Sequence, residues 1–329
     1  MFAAAGFGEA AARRAAAAIV EADLQGKSSH GVLQATAYLD RVIAGSISST
    51  EQIEIVTDGG ATVVADARGM LGHLAAEQAM IIAIERAKQH GVATVAMRNG
   101  FHFGVAGRYA LMAARQGCVG IVMCNTRPTM PAPGAAERLV GTNPFAIALP
   151  TAEEPAIVFD MATSAGSVGK VRQALAAGKP IPDGWATDSE GTPTTDAALA
   201  LKGFLLPVGG AKGFGLSMVI DLLCGLLASG GWGPTLGEMR GDLSKPYNGS
   251  SLFIALDIAH FRPLPEFLAE AQSGAERVRN AKRAPGIDRL YTPGERPWIA
   301  QKSETVSVEG QVIDALNAMA DRLGVPHLE

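Results

Sequence analysis

Residues 92–125 of the chain read VATVAMRNGFHFGVAGRYALMAARQGCVGIVMCN. Two β-rich runs, at 92–97 and 119–125, flank a helical pattern that extends from about Val105 to Gln116. A strand, a helix and a second strand within about 35 residues have the length of a crossover unit, which joins parallel strands. This stretch therefore predicts a protein of the α/β class.

The residues before this unit predict two helices, a hairpin and a third helix. Alanine, leucine and isoleucine with few breakers predict a helix over 9–23, and a second one follows an SSHG turn over 32–45. Two short β-branched runs within 53–66 are separated by the turn sequence DGG, which is a hairpin signal. Helical spacing then continues over 72–90, and Gly91 predicts the end of that helix.

The residues after the unit continue the mixture of strands and helices. An excursion rich in Pro, Gly and Thr at 178–196 fits a functional loop or lid, and it fits an ordinary surface loop equally well. The other elements are predicted strands at 144–149, 156–160 and 251–258, and predicted helices up to 177, up to 228, from beyond 260 to about 283, and from 309 to 323. The whole pattern indicates a mixed α/β protein.

The composition of the chain excludes several classes of protein. Its 329 residues include 28 basic and 32 acidic side chains, with a formal net charge of -4 and a charged fraction of 18%. This balance excludes a disordered or nucleic-acid-coating protein, and the charged fraction is below the rough quarter that is typical of globular domains. At roughly 150 residues per domain, the chain is long enough for about two domains with a cleft between them.

Cysteine usage and the N-terminal sequence lead us to expect a cytoplasmic protein. Three irregularly spaced cysteines, Cys118, Cys124 and Cys224, fit neither a disulfide framework nor a zinc site. The apolar N-terminus is interrupted at Glu9, and its arginines follow the apolar run, which is unlike a signal peptide. The longest apolar stretch, at 217–228, contains an aspartate and is too short to span a bilayer. We therefore expect no membrane partner and no nucleic-acid partner.

Standard nucleotide fingerprints are missing from the sequence. A Rossmann motif needs G-x-G-x-x-G between a strand and a helix, and the nearest match, Gly6-Phe7-Gly8, follows no predicted strand. Walker A fails because Gly169-Lys170 is followed by valine. The segment GGAKGFG at 209–215 offers unobstructed backbone N–H groups, a helix N-terminus and one lysine. This combination suits a phosphate or carboxylate, although a glycine-rich turn with a solvated lysine fits as well.

Two of the six histidines are candidates for proton transfer. His30 in SSHG and His102 in GFHFG lie in polar or glycine-bounded turns, where a side chain can face a cleft. Imidazole titrates near neutral pH, although a hydrogen-bonded structural role is the alternative for each ring. No pair of histidines has the helical spacing of a metal site. In the segment DMATS, at 160–164, a hydroxyl could cap a helix, or the segment could contact a cofactor at a sheet edge.

Taken together, several segments resemble the type-2 malate/L-lactate dehydrogenase-like oxidoreductases. The resemblance extends through almost the whole chain, and the order and spacing of the segments make it specific. The segments are SSHGV at 28–32, YLDRVIAGSI at 38–47, RNGFHFGVAGRYA at 98–110, GTNPFAIALP at 141–150, VFDMATS at 158–164, GKPIPDGWATD at 178–188, PTTD at 193–196, LLPVGGAKGFGLSMVIDLL at 205–223 and PGER at 293–296.

The resemblance implies a mixed-sheet, non-Rossmann NAD(P)-binding fold, in agreement with the failed fingerprint search. It implies a helical subdomain formed by residues 1–55 and 297–329. Residues 56–296 are expected to form the NAD(P)-binding mixed α/β domain, which includes the loop excursion at 178–196. The family also implies a homodimer with active sites near the subunit interface, which would account for the low charged fraction.

Site residues are carried over from the family position by position. His30 matches the histidine that serves as proton donor or acceptor, and His102 matches a histidine with that role in other members. The resemblance implies NAD or NADP as the cofactor, with NAD favoured, and no metal. The positions that match the dinucleotide-binding residues of the family are Thr126, Asp160, Met161, Ala162, Ala211, Lys212, Gly294, Glu295 and Arg296.

One position departs from the family pattern S-H-G-V-x-R. The arginine of that pattern, which is available to a substrate carboxylate, is replaced by Gln34. Either another basic residue holds the carboxylate, or the substrate differs. The expected reaction is hydride transfer between NAD(P) and a small 2-hydroxy or 2-oxo acid, with His30 as the general acid/base. The alternatives are reduction of a cyclic 2-carboxylated imine and a catalytically idle, ligand-binding relative.

Overall fold

The computed structural model describes residues 1–303 and 305–328 of the chain. The helices are α1 (Glu9–Leu24), α2 (Ala35–Ile43), α3 (Gly72–His90), α4 (Ala106–Arg115), α5 (Val168–Ala176), α6 (Ala197–Lys202), α7 (Ala211–Leu227), α8 (Leu264–Arg279), α9 (Glu295–Ala300) and α10 (Gly310–Leu323). The strands are β1 (Glu54–Asp58), β2 (Thr62–Asp66), β3 (Val92–Gly100), β4 (Cys118–Cys124), β5 (Phe145–Leu149), β6 (Ile157–Met161), β7 (Ala186–Thr187), β8 (Pro193–Thr194), β9 (Phe204–Leu205) and β10 (Gly249–Asp257). The predicted mixed α/β class is confirmed.

Seven strands form the central sheet, in the order β1-β2-β3-β10-β4-β5-β6. β2 and β3 are parallel and the other neighbouring pairs are antiparallel, so the sheet is mixed. β3 and β4 are both antiparallel to β10, and they therefore run in the same direction, as the predicted crossover unit requires. The two strands are not neighbours, however, because β10 from the C-terminal third of the chain lies between them.

Helices cover the central sheet on both faces. α3 and α4 pack on one face, where Val95 of β3 and Val122 of β4 belong to the main hydrophobic core. α7 packs on the opposite face, where the sequence neighbours Ala96 and Met123 cluster with Ile220 of α7. Successive residues of a strand point to opposite faces of a sheet. The nearly continuous apolar runs in β3 and β4 therefore reflect burial on both sides.

Glycines set the end of one helix and the close packing of another. Gly91 has a φ of 82° and ends α3 at the predicted position, since glycine adopts this left-handed conformation at little cost. A Cβ atom on Gly120 of β4 would lie 2.3 Å from the carbonyl oxygen of Ala110 in α4. Only glycine at this position allows α4 to pack directly on the strand.

The excursion at 178–196 belongs to a second, smaller sheet. It contains β7 and β8, which join β9 in the order β8-β7-β9. A separate hydrophobic core lies under this sheet and includes Met130, Ile181 and Leu205. The excursion is therefore an ordered part of a small lobe with its own buried side chains.

The N-terminal and C-terminal helices contact each other. Arg322 of α10 forms an ion pair with Asp40 of α2, with an N–O distance of 2.6 Å. This contact fits the expected helical subdomain, whose boundaries at residues 55 and 297 stay a prediction. None of the helices within the described ranges combines the length and the hydrophobicity needed to cross a membrane.

Candidate active site

Two histidines that are distant in the sequence meet at one side of the central sheet. His30 ends a short 3₁₀ turn, Ser28–His30, between α1 and α2, and His102 follows β3. Their rings are stacked, with centroids 5.4 Å apart and an interplanar angle of 29°. The structure thus brings together the two residues predicted for proton transfer.

Tyr38 of α2 determines which nitrogen of His102 carries the proton. Its hydroxyl oxygen lies 2.7 Å from His102 Nδ1, and the backbone N–H of Gly104 points to the same nitrogen at 3.4 Å. Burial raises the pKa of Tyr38 well above its ordinary value, so the phenol stays protonated. Because the Gly104 N–H is also directed at Nδ1, this nitrogen is an acceptor and the Tyr38 hydroxyl donates a hydrogen bond to it. Burial also lowers the pKa of His102 well below the usual range. The neutral His102 ring therefore carries its proton on Nε2.

His30 is half-buried and has a different electrostatic environment. Burial lowers its pKa below the usual 6.5, and nearby Asp160 opposes that change while Lys27 adds to it. Its Nδ1 lies 2.9 Å from the hydroxyl of Ser29. The ring is therefore neutral at neutral pH and has a nitrogen available to accept a proton.

His73 is a third histidine in this cluster, and the sequence analysis did not single it out. It lies in α3 with its ring 5.2 Å from that of Tyr38, and neither of its nitrogens has a hydrogen-bond partner within the described residues. Burial, together with the charge of His30, lowers its pKa to about 3. A histidine inside a helical pattern is typical of a core residue, which is why the sequence offered no signal for it.

Asp160 connects the histidines to the predicted cofactor positions. Its Oδ2 accepts a hydrogen bond from Lys27 Nζ at 2.6 Å, an ion pair that joins β6 to the turn before His30. The adjacent residues differ in exposure, because Met161 ends β6 half-buried and Ala162 is exposed. Lys27 was missed in the sequence analysis, since a lysine beside a turn is usually a solvated surface residue.

Three of the predicted cofactor segments are joined by hydrogen bonds at one end of the sheet. The Thr142 amide donates to Thr126 Oγ1 at 3.0 Å, the Thr163 amide to the Thr142 carbonyl at 2.9 Å, and the Val208 amide to the Thr163 carbonyl at 2.9 Å. The ends of β4 and β6 therefore lie beside the glycine segment. Ser167 caps α5, so the capping alternative for DMATS is wrong. Thr163 Oγ1 is buried and has no hydrogen-bond partner in the described part of the chain.

The glycine segment has the features of an anion site. Gly209 and Gly210 adopt left-handed φ values of 62° and 64°, and a Cβ atom on either would meet no atom within 4 Å. α7 begins immediately afterwards at Ala211, and exposed Lys212 forms no ion pair with any described residue. A cavity of about 440 Å³ borders Gly209 and Gly210. The Gly210 N–H donates to the Pro207 carbonyl at 3.2 Å, but the glycine backbone, the first turn of α7 and an exposed cation still lie together beside open space, as a phosphate requires.

The segment at 293–296 lies against the outer edge of β6. The Val158 amide donates to the Pro293 carbonyl at 3.0 Å, and a Cβ atom on Gly294 would lie 2.8 Å from Val158 Cβ. The guanidinium of Arg296 lies over the ring of Tyr291, 4.5 Å from its centroid. A cavity of about 110 Å³ extends from Gly294 to the pair formed by Lys27 and Asp160.

Glu295 is buried, and its carboxylate is already engaged within the protein. It accepts hydrogen bonds from Arg279 Nε and from the Thr292 amide, both at 3.0 Å, and it pairs with Arg289. Burial alone would raise its pKa, but these hydrogen bonds and charges lower the pKa to about 2. A structural contribution to the loop is thus evident, and cofactor contact by Glu295 stays a prediction.

Within the described residues, no group of three or more His, Cys, Asp or Glu side chains could hold a metal ion. The candidate site combines two neutral imidazoles, one ion pair and one glycine segment beside an exposed lysine. Such a set can exchange a proton with a small substrate and can bind a phosphate-containing ligand.

The chain is similar to known proteins over almost its whole length. The model of the malate/L-lactate dehydrogenase family matches residues 1–317. A malate dehydrogenase from Pyrococcus abyssi (strain GE5 / Orsay) is 36% identical over 322 residues, which cover 94% of this chain and 88% of that protein. A ureidoglycolate dehydrogenase (NAD(+)) from Escherichia coli (strain K12) is 34% identical over 297 residues, covering 90% and 84%. The solved structure of sulfolactate dehydrogenase from Methanocaldococcus jannaschii has a TM-score of 0.93 and 33% identity, covering 98% and 93%.

Proposed function

Because this chain belongs to the malate/L-lactate dehydrogenase family, we propose that it is an NAD(P)-dependent dehydrogenase that interconverts a small 2-hydroxy acid and its 2-oxo acid. The resemblance inferred from the motifs is confirmed by the family match. The relatives compared above are named dehydrogenases of malate, ureidoglycolate and sulfolactate. The observation that carries the proposal is the stacked pair of neutral imidazoles, His30 and His102, with ring centroids 5.4 Å apart.

The two histidines are assigned different tasks. During oxidation the substrate hydroxyl must lose a proton, and we assign its acceptance to His30, whose lowered pKa leaves the ring neutral. Tyr38 and Gly104 occupy Nδ1 of His102, so its Nε2–H is available to donate a hydrogen bond to the same substrate oxygen. In the direction of reduction, His30 returns the proton to that oxygen.

The residues of the glycine segment fit a dinucleotide. The open left-handed backbone at Gly209 and Gly210 and the cation of Lys212 suit phosphate groups. The buried Thr163 hydroxyl, which has no hydrogen-bond partner among the described residues, could serve a ribose hydroxyl. When bound, the dinucleotide supplies the hydride acceptor or donor. Within this proposal NAD is preferred to NADP, following the Escherichia coli relative that is named for NAD(+).

A homodimer that covers the outer face of α7 is also part of the proposal. This helix packs on the sheet with one side and exposes large apolar side chains on the other. Contiguous apolar patches of this kind are uncommon on monomeric proteins and mark interaction surfaces. The exposed side chains are Leu216, Met218, Val219, Leu223, Leu226 and Leu227. We assign a second copy of the chain as the occupant, as the family resemblance implies.

A substrate panel tests the proposed reaction. The purified protein is mixed with NAD or NADP and malate, lactate or sulfolactate, and with the reduced dinucleotides and the matching 2-oxo acids, while nicotinamide absorbance is followed. We expect turnover of at least one of these acids, faster with NAD. Piperideine-2-carboxylate is added to the panel with the reduced dinucleotides, and turnover restricted to this compound identifies an imine reductase instead. Binding of NADH without turnover of any compound identifies the idle relative and refutes the proposed reaction.

A further inference from the structure

Arg240 contacts Gln34, the residue that stands where the family pattern has an arginine. A positive charge is therefore present beside this position although the arginine itself is missing. Nη2 of Arg240 donates a hydrogen bond to Oε1 of Gln34 at 2.9 Å. The other end of the Gln34 amide, Nε2, donates to the carbonyl oxygen of Ser29 at 2.7 Å. Ser29 immediately precedes His30 and contacts its ring. The guanidinium is therefore connected through one amide to the turn that carries the proposed proton acceptor.

The segment that carries Arg240 is clamped to α2 by a buried arginine. The side chain of Arg41 is 1% exposed, and its guanidinium donates to the carbonyl oxygens of Glu238, Met239 and Lys245. Three carbonyls on both sides of Arg240 are thus attached to the helix that also carries Tyr38. Nη1 of Arg41 also donates to the Ser46 hydroxyl at 3.0 Å, but most of its N–H groups are directed at the segment of Arg240. A buried charge held in this way has a positioning role, because losing these bonds would leave its N–H groups without acceptors.

Arg240 is also close enough to the histidine cluster to act on it electrostatically. Burial raises the pKa of the Tyr38 hydroxyl, which contacts His102, and the charge on Arg240 opposes that rise. Arg240 itself is exposed and forms no ion pair with any carboxylate in the described ranges. Its guanidinium therefore has N–H donors that are not taken by an anion of the protein.

We propose that Arg240 binds the carboxylate of the substrate, in the role that an arginine at position 34 would otherwise have. A guanidinium presents a planar fork that matches a carboxylate with two parallel hydrogen bonds. Gln34 is suited to this arrangement, because a neutral amide can accept from Arg240 whereas a second guanidinium would repel it. The assignment rests on the proposed function for the identity of the substrate, and it makes Arg240 the residue that selects an anionic substrate.

Binding of oxalate, a planar analogue of a 2-oxo acid, tests this inference without requiring turnover. Titration calorimetry is done with the NADH complex of the full protein. Charge-assisted hydrogen bonds of this kind correspond to about a 10- to 100-fold change in affinity. We expect Arg240→Gln to weaken oxalate binding by that factor while the Kd for NADH stays unchanged. Lys245→Gln is the matched control, because it removes an exposed cation from the same segment and should bind oxalate as the unmodified protein does.

A double variant, Gln34→Arg with Arg240→Gln, moves the guanidinium to the other member of the pair and should restore most of the oxalate affinity. With a 2-oxo acid that the enzyme turns over, Arg240→Gln should raise KM much more than it lowers kcat. Equal oxalate affinity in the unmodified protein and Arg240→Gln overturns the inference, and so does a lack of oxalate binding to the unmodified protein. If oxalate binding depends on Arg240 but the protein turns over no acid, the proposed reaction is refuted and the assignment of Arg240 as the anion-binding residue holds.

Discussion

Replacing Glu295 with glutamine should remove one of the larger electrostatic contributions to stability in this protein. The side chain is 2% exposed, and its carboxylate accepts from Arg279, Arg289 and Thr292. Glutamine keeps the shape of the side chain but loses the charge and one acceptor. We expect Glu295→Gln to fold and to have a lower free energy of unfolding at neutral pH.

The size of the loss follows from the pKa of Glu295. The protein lowers this pKa from 4.5 to about 2. At roughly 1.4 kcal/mol per pH unit, the difference corresponds to a stabilisation of about 3 kcal/mol. Because the folded pKa is depressed, this stabilisation is present in full above the unfolded pKa of 4.5 and is lost as the pH falls toward 2.

Urea denaturation at a fixed protein concentration measures the effect. At neutral pH the midpoint for Glu295→Gln should be well below that of the unmodified protein, and the difference should shrink as the pH falls below 4.5. Glu153→Gln is the matched control, because Glu153 is exposed and forms no ion pair with a described residue, so its effect should stay within about 0.5 kcal/mol. Equal midpoints for the unmodified protein and Glu295→Gln at neutral pH would refute the reasoning.

Four further predictions concern the proposed site and the proposed dimer. His30→Ala should lower kcat by about 10²–10⁴-fold without changing NADH affinity. The rate of oxidation by the unmodified enzyme should fall only as the pH drops through a pKa below 6.5, where the His30 ring becomes protonated. A pH profile without that fall contradicts the assignment. Tyr38→Phe removes the bond to His102 Nδ1 and should lower kcat by about 3- to 10-fold, whereas an unchanged kcat argues against the assigned tautomer. Lys212→Ala should weaken NADH binding by about 10- to 100-fold in calorimetry, and unchanged affinity removes it from the site. Leu226→Glu, at a side chain that is 57% exposed on α7, should convert a dimer to a monomer in sedimentation, and an unmodified protein that is already monomeric refutes the dimer.

Proton-transfer candidates were identifiable in the sequence because glycine and serine make their turns conspicuous. His30 and His102 stand in such turns, and the structure places their rings together. Tyr38 and His73 gave no comparable signal, since an aromatic or imidazole ring inside a helical pattern is typical of a hydrophobic core. Their contribution to the site became visible only through their contacts with His102 and with each other.

The sequence by itself determined the local elements of this protein. The hairpin at 53–66, the helix that ends at Gly91 and the alternation of strands and helices follow from turn residues and periodicity within a few positions. It also determined, through the order of its motifs, the family and the positions at which a site should be sought. Such features depend on residues that are close together in the sequence, so they can be recognised without the structure.

Only the tertiary structure decided which distant segments touch. It placed β10 between β3 and β4, paired Lys27 with Asp160, and put Arg240 on Gln34. The sequence of a strand does not show which strand will pair with it, and the sequence around an exposed cation does not show which group it will contact. These choices are made by the packing of the whole chain, because hydrogen bonds, charges and apolar surfaces must be satisfied together in one compact structure.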